Sequence, residues 1–139
     1  EMRRPFGLIR LCFALGSFVP ATAGYAASQL QVISSIEAGL WDLRSTSGRD
    51  VGRSMCVTDP AVLLQLGHPG RACSRFPIVN QPKNADVYYS CAGAGQGQTR
   101  LRVETSRLVQ IETQGFLYQE PFSFSFEARR IGDCSRAKP

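Results

Sequence analysis

The stretch from Cys73 to Cys91 constrains the fold of this chain more than any other feature. It contains two runs rich in strand-forming residues, Cys73–Asn80 and Ala85–Cys91, separated by the turn residues Asn80–Asn84. A cysteine lies at the outer end of each run. The pattern therefore predicts a β-hairpin that a Cys73–Cys91 disulfide would close, and we place the other predicted strands around it.

The first 26 residues differ in character from the rest. The positively charged segment Met2–Arg4 is followed by the apolar run Leu8–Val19. Small residues at Ala21–Ala26 then form a candidate cleavage site. A membrane-spanning helix is the alternative, but such a helix needs about 18 or more apolar residues, and Arg10 interrupts this run. Residues 1–26 are therefore predicted to be a cleaved signal peptide, with no transmembrane segment after its removal and export to the periplasm or beyond.

The cysteine count agrees with export. Four cysteines remain after residue 26, an even number for an oxidising compartment, and they allow three pairings. The hairpin favours Cys73–Cys91, which leaves Cys56–Cys134. A zinc site is the rival, but the sequence has no CxxC pattern and its cysteine gaps of 17, 18 and 43 residues do not resemble a zinc finger. We therefore expect no metal.

Composition limits the size and the partners of the domain. A chain of 139 residues with 43% hydrophobic and 19% charged residues is long enough for one core. Without residues 1–26 its formal charge falls from +5 to +3. This balance is too mild to indicate nucleic-acid binding. We expect an N-terminal arm at residues 27–38, one disulfide-stabilised β domain at residues 39–134 and a C-terminal tail at residues 135–139.

Alternating apolar and polar residues predict further strands on both sides of the hairpin. Thr58, Asp59 and Pro60 predict the start of a short helix, Ala61–Leu66, that covers one side of the sheet. The predicted strands are Leu40–Ser45, Val51–Val57, Gln98–Thr105, Leu108–Thr113 and Phe116–Arg130. The expected fold class is mainly β: an antiparallel meander of six or seven strands forming a strongly curved sheet or small barrel, with one short helix after the second strand.

Turn residues divide these strands. Ala92–Gly97 has glycines at alternate positions, but its spacing does not match GxGxxG and no helix pattern follows, so we interpret it as a turn or bulge. Gln114-Gly115 is predicted to be another turn, and Pro121 is predicted to break or bulge the last strand near its start.

Two groups of residues are candidates for binding. The first combines the single tryptophan with the alternating phenylalanines of the last strand; these rings could line a ligand cavity or form the packed core. The second is a basic strand face that could meet an anionic partner. The first group is Trp41, Phe122, Phe124 and Phe126, and the second is Arg100, Arg102 and Arg129.

Catalytic chemistry has little support in the sequence. There is no GxSxG pattern, and the one histidine, His68, is interpreted as an exposed loop residue because no potential partner lies near it in sequence. Glu104 and Glu112 lie on neighbouring predicted strands beside arginines, which is more typical of a charge ladder than of a glycosidase pair. We expect no catalytic residues and no cofactor.

Five short motifs follow one another along the chain: Gly39–Trp41, Cys56–Pro60, Cys73 and Cys91 around a hairpin, the glycine-rich turn Ala92–Gly97, and Arg129–Cys134. Taken in this order, they resemble the bacterial domain-of-unknown-function 3617 family. The resemblance covers roughly residues 36–134. It implies an exported, disulfide-bonded, mostly β protein and implies no activity, so no functional residues are carried over. The segment Ala92–Arg107 is shorter than the family pattern.

These features predict an exported, non-enzymatic protein that binds an apolar or amphipathic small molecule such as a lipid. The alternatives are an envelope interaction or inhibitor protein that uses the basic strand face to bind an anionic envelope component, and a more weakly supported hydrolase.

Overall fold

The computed structural model describes residues 29–135, so the predicted signal peptide and most of the predicted C-terminal tail lie outside the described residues. Seven strands dominate this part of the chain. They are β1 (Gly39–Ser45), β2 (Arg53–Val57), β3 (Cys73–Asn80), β4 (Asn84–Cys91), β5 (Gly95–Thr105), β6 (Leu108–Leu117) and β7 (Glu120–Gly132). A short helix α1 (Gln31–Ser34) precedes β1, and a 3₁₀ helix (Pro60–Gln65) lies between β2 and β3.

All seven strands form one antiparallel sheet in the order β2-β1-β7-β6-β5-β4-β3. The predicted mainly-β antiparallel fold is confirmed, and of its two expected forms, a curved sheet or a small barrel, the sheet is the one found, since it is not closed in the part of the chain that the structure describes. Strands β3 to β7 follow one another as hairpins, and the β1–β2 hairpin adds to the free side of β7. Because β2 and β3 form opposite edges, the connection that carries the 3₁₀ helix crosses the whole sheet.

The two faces of the sheet have different chemistry, as the strand alternation predicts. The core face carries Leu101, Val103 and their apolar neighbours, which pack against α1 and the 3₁₀ helix. The opposite face, called here the outer face, carries Arg100, Arg102 and other polar side chains. None of the helices in residues 29–135 combines the length and apolarity needed to cross a bilayer.

The 3₁₀ helix begins where its capping residues predict. The side chain of Asp59 accepts a hydrogen bond from the Ala61 backbone N–H at 2.9 Å, and Pro60 occupies the first turn, where its missing N–H costs nothing. Leu63 and Leu64 are fully buried against the sheet. Through these two leucines, the connection between β2 and β3 contributes to the hydrophobic core.

The predicted turn at Gln114-Gly115 is wrong, and the predicted break near the start of the last strand lies before Glu120 rather than at Pro121. Gln114 and Gly115 continue β6, which pairs with β7 as far as Leu117 opposite Glu120. The turn lies at Tyr118, which adopts a positive φ of 55°. Pro121 pairs in register with Phe116 because a proline is tolerated at the second residue of a strand, where few ladder bonds are lost. The β6–β7 hairpin is consequently longer than expected.

Both predicted disulfides are confirmed. Cys73 and Cys91 pair directly across β3 and β4, with Cα atoms 4.1 Å apart. Cys56 of β2 is bonded to Cys134, just beyond β7, with Cα atoms 5.5 Å apart. The first bond closes the central hairpin, and the second ties an edge strand to the end of the chain's last strand.

Candidate functional site

The aromatic residues proposed as a ligand site project to the core face. Trp41 is 0% exposed and donates its indole N–H to the Glu37 carbonyl oxygen at 3.0 Å. Phe126 is 4% exposed within the main core. Phe122 and Phe124 are half-buried and stack on each other with ring centroids 5.3 Å apart. Trp41 leaves no exposed surface for a ligand, whereas Phe126 lines a cavity of about 400 Å³ together with Arg100 and Arg102. A binding role for this group stays a prediction.

The arginines proposed as a basic face are each paired with an acid on the same face. Arg100 Nε lies 3.2 Å from Asp86 Oδ2, and Arg102 Nη1 lies 3.0 Å from Glu104 Oε1. Arg129 Nη2 lies 3.4 Å from Glu127. Hydrogen bonds from Gln110 and Arg129 lower the pKa of Glu127, which keeps this acid charged. The three arginines therefore belong to a charge ladder of both signs.

The interpretation of His68 as an exposed loop residue is wrong. The side chain is 0% exposed and bonds through both ring nitrogens. Nδ1 lies 3.1 Å from the Tyr89 hydroxyl, and Nε2 lies 3.1 Å from the Ala94 carbonyl oxygen. The imidazole also packs edge-on against the rings of Tyr89 and Phe122. The loop after the 3₁₀ helix thus inserts its histidine beneath the sheet.

Two buried threonines lie near the His68–Tyr89 pair. Thr99 Oγ1 donates to the Leu64 carbonyl oxygen at 2.7 Å and lies 2.7 Å from Thr113 Oγ1. Burial raises the pKa of Tyr89 above its ordinary value of 10.0. Among the described residues, every fully buried side-chain nitrogen and oxygen has a hydrogen-bond partner. This cluster joins the 3₁₀ helix to β4, β5 and β6.

A cavity of about 580 Å³ opens on the core face beside the edge strand β3, and we call it the β3 groove. Its walls come from α1, the 3₁₀ helix and β3, three segments that are separated in sequence. Arg75 lies at the groove, and its Nη2 donates to Gln65 Oε1 at 2.7 Å. The apolar lining residues are Leu30, Ile33, Ala61, Leu64, Cys73 and Pro77.

Arg75 differs from the outer-face arginines in its partners. The salt bridges formed within residues 29–135 do not include Arg75, whereas they include Arg100, Arg102 and Arg129. Gln65 holds the guanidinium while its own amide nitrogen donates to the Arg71 carbonyl oxygen at 2.8 Å. Sequence reasoning missed this residue because nothing in the alternation of β3 indicates that α1 would pack beside it.

The residues described contain no cluster of three or more metal-ligating side chains. Comparison of the chain with family models found no match, and comparisons with curated proteins and with solved structures found none either.

Proposed function

We propose that this protein is an exported, non-enzymatic binding module that holds an amphipathic molecule in the β3 groove. The observation that carries the proposal is the groove itself: about 580 Å³, lined mainly by aliphatic side chains, with one arginine beside it. Pockets for small ligands commonly measure roughly 300–1,000 Å³ and combine apolar walls with a few polar groups. An acyl chain would pack against the apolar walls, and an anionic head group would pair with the Arg75 guanidinium.

Export to the periplasm or the cell exterior forms part of the same proposal. The two disulfides fit an oxidising environment, and the signal-peptide pattern at residues 1–26 fits delivery to one. The resemblance to the domain-of-unknown-function 3617 family implies the same location.

A binding role is favoured over catalysis by the state of the reactive side chains. His68 is buried, and both of its ring nitrogens are engaged by Tyr89 and Ala94. The four cysteines of the described residues are oxidised. A hydrolase would need an accessible nucleophile beside a base, and these groups do not supply one.

The test is a titration of the purified protein with a fluorescent fatty acid, cis-parinaric acid, followed by displacement with unlabelled fatty acids and fatty alcohols. Ala61→Phe places a ring in the groove and should weaken binding at least tenfold. Val62→Phe is the matched control, because Val62 belongs to the same helix but lines a separate cavity beside β2. Arg75→Gln should weaken the binding of fatty acids and leave the affinity for fatty alcohols unchanged.

Two results would contradict the proposal. One is failure of the unaltered protein to bind the probe. The other is an equal affinity of the Ala61→Phe and unaltered proteins, which would place the probe elsewhere.

A further inference from the structure

The chemistry of the outer face changes along the strands. Near one end of β4 and β5, the register places Asp86 beside Arg100 and Arg100 beside Glu112, which forms part of the charge ladder. Two residues further along each strand, the side chains that share this face are uncharged. They form a single row across five strands: Phe76, Tyr88, Gln98, Gln114 and Ser123.

The next row on the same face is also uncharged. It places Ser90 beside Gln96, Gln96 beside Phe116, and Phe116 beside Pro121. Together the two rows form what we call the neutral face. A cavity of about 330 Å³ opens on it, lined by Tyr88, Phe116, Phe122, three glutamines and Ser123, together with two glycines.

Hydrogen bonds fix two of the glutamines of the neutral face. The Tyr88 hydroxyl donates to Gln96 Oε1 at 2.7 Å, and Gln98 Nε2 donates to Asp86 Oδ1 at 2.7 Å. An amide has two donors and one carbonyl acceptor. Gln96 therefore keeps its Nε2 donors for a ligand, and Gln98 keeps its Oε1 acceptor. The surface presents oriented donors and acceptors without a formal charge.

Aromatic rings lie on both sides of these amides. Phe76 is 54% exposed and lies against Tyr88 with ring centroids 6.0 Å apart, and Phe116 is 48% exposed. The face of an aromatic ring is negative and attracts weakly positive C–H groups. Phe116 lines the cavity, and Phe76 lies outside its lining but against Tyr88, which lines it. The exposed rings thus extend the cavity into an apolar patch of the kind that marks a binding surface.

We propose that the neutral face binds an uncharged oligosaccharide. A sugar ring offers C–H groups that pack on aromatic rings and hydroxyl groups that both donate to and accept from amides. A charged ligand would find no partner of opposite charge in the two rows of the neutral face, because the charged side chains of the outer face lie in the charge ladder. Five strands spaced about 4.8 Å apart span roughly 19 Å, which suits an extended chain of sugars better than one unit. This site lies on the opposite face of the sheet from the β3 groove and does not depend on it.

The test is isothermal titration calorimetry of the purified protein with cellohexaose, chitohexaose and maltohexaose. At least one should bind, and Tyr88→Ala and Gln96→Ala should each weaken it at least tenfold. Arg102→Gln, a change on the outer face but within the charge ladder, should leave affinity within twofold. Circular dichroism melting verifies that each variant is folded.

Three outcomes would overturn the inference. They are no binding of any of the three sugars, binding that Tyr88→Ala and Gln96→Ala both leave intact, and, in a parallel titration, binding only to phosphatidylglycerol vesicles that Tyr88→Ala abolishes and Ala61→Phe leaves intact. The last result would identify the exposed rings as a lipid contact. Because the Ala61→Phe change lies on the core face, it should not alter sugar binding. The two proposals can therefore fail separately.

Discussion

Nδ1 of His68 and the hydroxyl of Tyr89 lie 3.1 Å apart in the buried part of the molecule. The other ring nitrogen, Nε2, faces the Ala94 carbonyl oxygen, which can only accept a hydrogen bond. Nε2 must therefore carry a proton, and in the neutral imidazole Nδ1 accepts the proton of Tyr89. The contact fixes the histidine tautomer and links the loop after the 3₁₀ helix to β4.

Tyr89→Phe tests this contact. The change leaves Nδ1 without a donor in a buried site, and an unsatisfied buried polar atom costs about 1–3 kcal/mol. We expect a fall of that size in the free energy of unfolding, measured by urea denaturation. Tyr88→Phe is the control, because its hydroxyl bonds Gln96 at the surface and its loss should cost less than about 0.5 kcal/mol. Equal losses in the two variants would contradict the role of the buried bond.

The glycine at position 97 leaves space for Tyr89. A Cβ atom at Gly97 would lie 2.5 Å from the Tyr89 hydroxyl oxygen, so Gly97→Ala should displace the phenol. Overpacking of this kind costs about 1–3 kcal/mol, which thermal unfolding would detect. Gly132→Ala is the matched change, because a Cβ there meets nothing within 4 Å. A melting temperature unchanged by Gly97→Ala would mean that Tyr89 can shift freely.

The features of the fold that depend on residues close together in sequence were predicted correctly. The alternation around Leu101 and Val103 identified the buried face because strand side chains alternate with a period of two. The cysteine positions predicted the disulfides because Cys73 and Cys91 end the two strands of one hairpin. Asp59 and Pro60 predicted the start of the 3₁₀ helix because capping depends on neighbours in sequence.

The features that could not be predicted from the sequence depend on contacts between residues far apart in the chain. His68 lies in a segment rich in turn residues, and its partners Tyr89 and Ala94 are 21 and 26 residues away. The pairing of Arg100 with Asp86 depends on the register of β4 against β5, which the strand pattern leaves open. Likewise, the β3 groove exists only because α1 folds beside an edge strand that begins 39 residues after α1 ends. A cavity between such segments leaves no local signature.

The two disulfides close loops of different length and should therefore contribute differently to the free energy of unfolding. Cys56 and Cys134 are 78 residues apart, whereas Cys73 and Cys91 are 18 apart. Loop entropy predicts about 4.5 kcal/mol for the long loop and about 3 kcal/mol for the short one. Cys56→Ala/Cys134→Ala should therefore lower the free energy of unfolding more than Cys73→Ala/Cys91→Ala, measured by urea denaturation. The reverse order would show that packing around the central hairpin outweighs loop entropy.

Glu37 connects the segment before β1 to the turn between β5 and β6. Its carboxylate accepts hydrogen bonds from Ser106 Oγ at 2.7 Å and from Arg107 Nε at 2.9 Å, and its backbone N–H donates to the Ser106 carbonyl oxygen. The hydrogen bonds from Ser106 and Arg107 lower the pKa of Glu37 below its ordinary value of 4.5. The charged carboxylate is thus favoured in the folded state over the unfolded chain.

This shift determines how stability depends on pH. Since the folded-state pKa lies below the unfolded value, the contribution of Glu37 is complete above about pH 4.5 and is lost as the pH falls through the folded-state pKa. Glu37→Gln should therefore destabilise the protein at pH 7, and its difference from the unaltered protein should shrink below pH 4.5. Urea denaturation at pH 7, 5, 4 and 3 measures the difference, and 1 M NaCl should reduce it at pH 7 because the Arg107 pair is exposed. A difference that stays constant from pH 7 to pH 3 would show that the carboxylate charge contributes nothing to this contact.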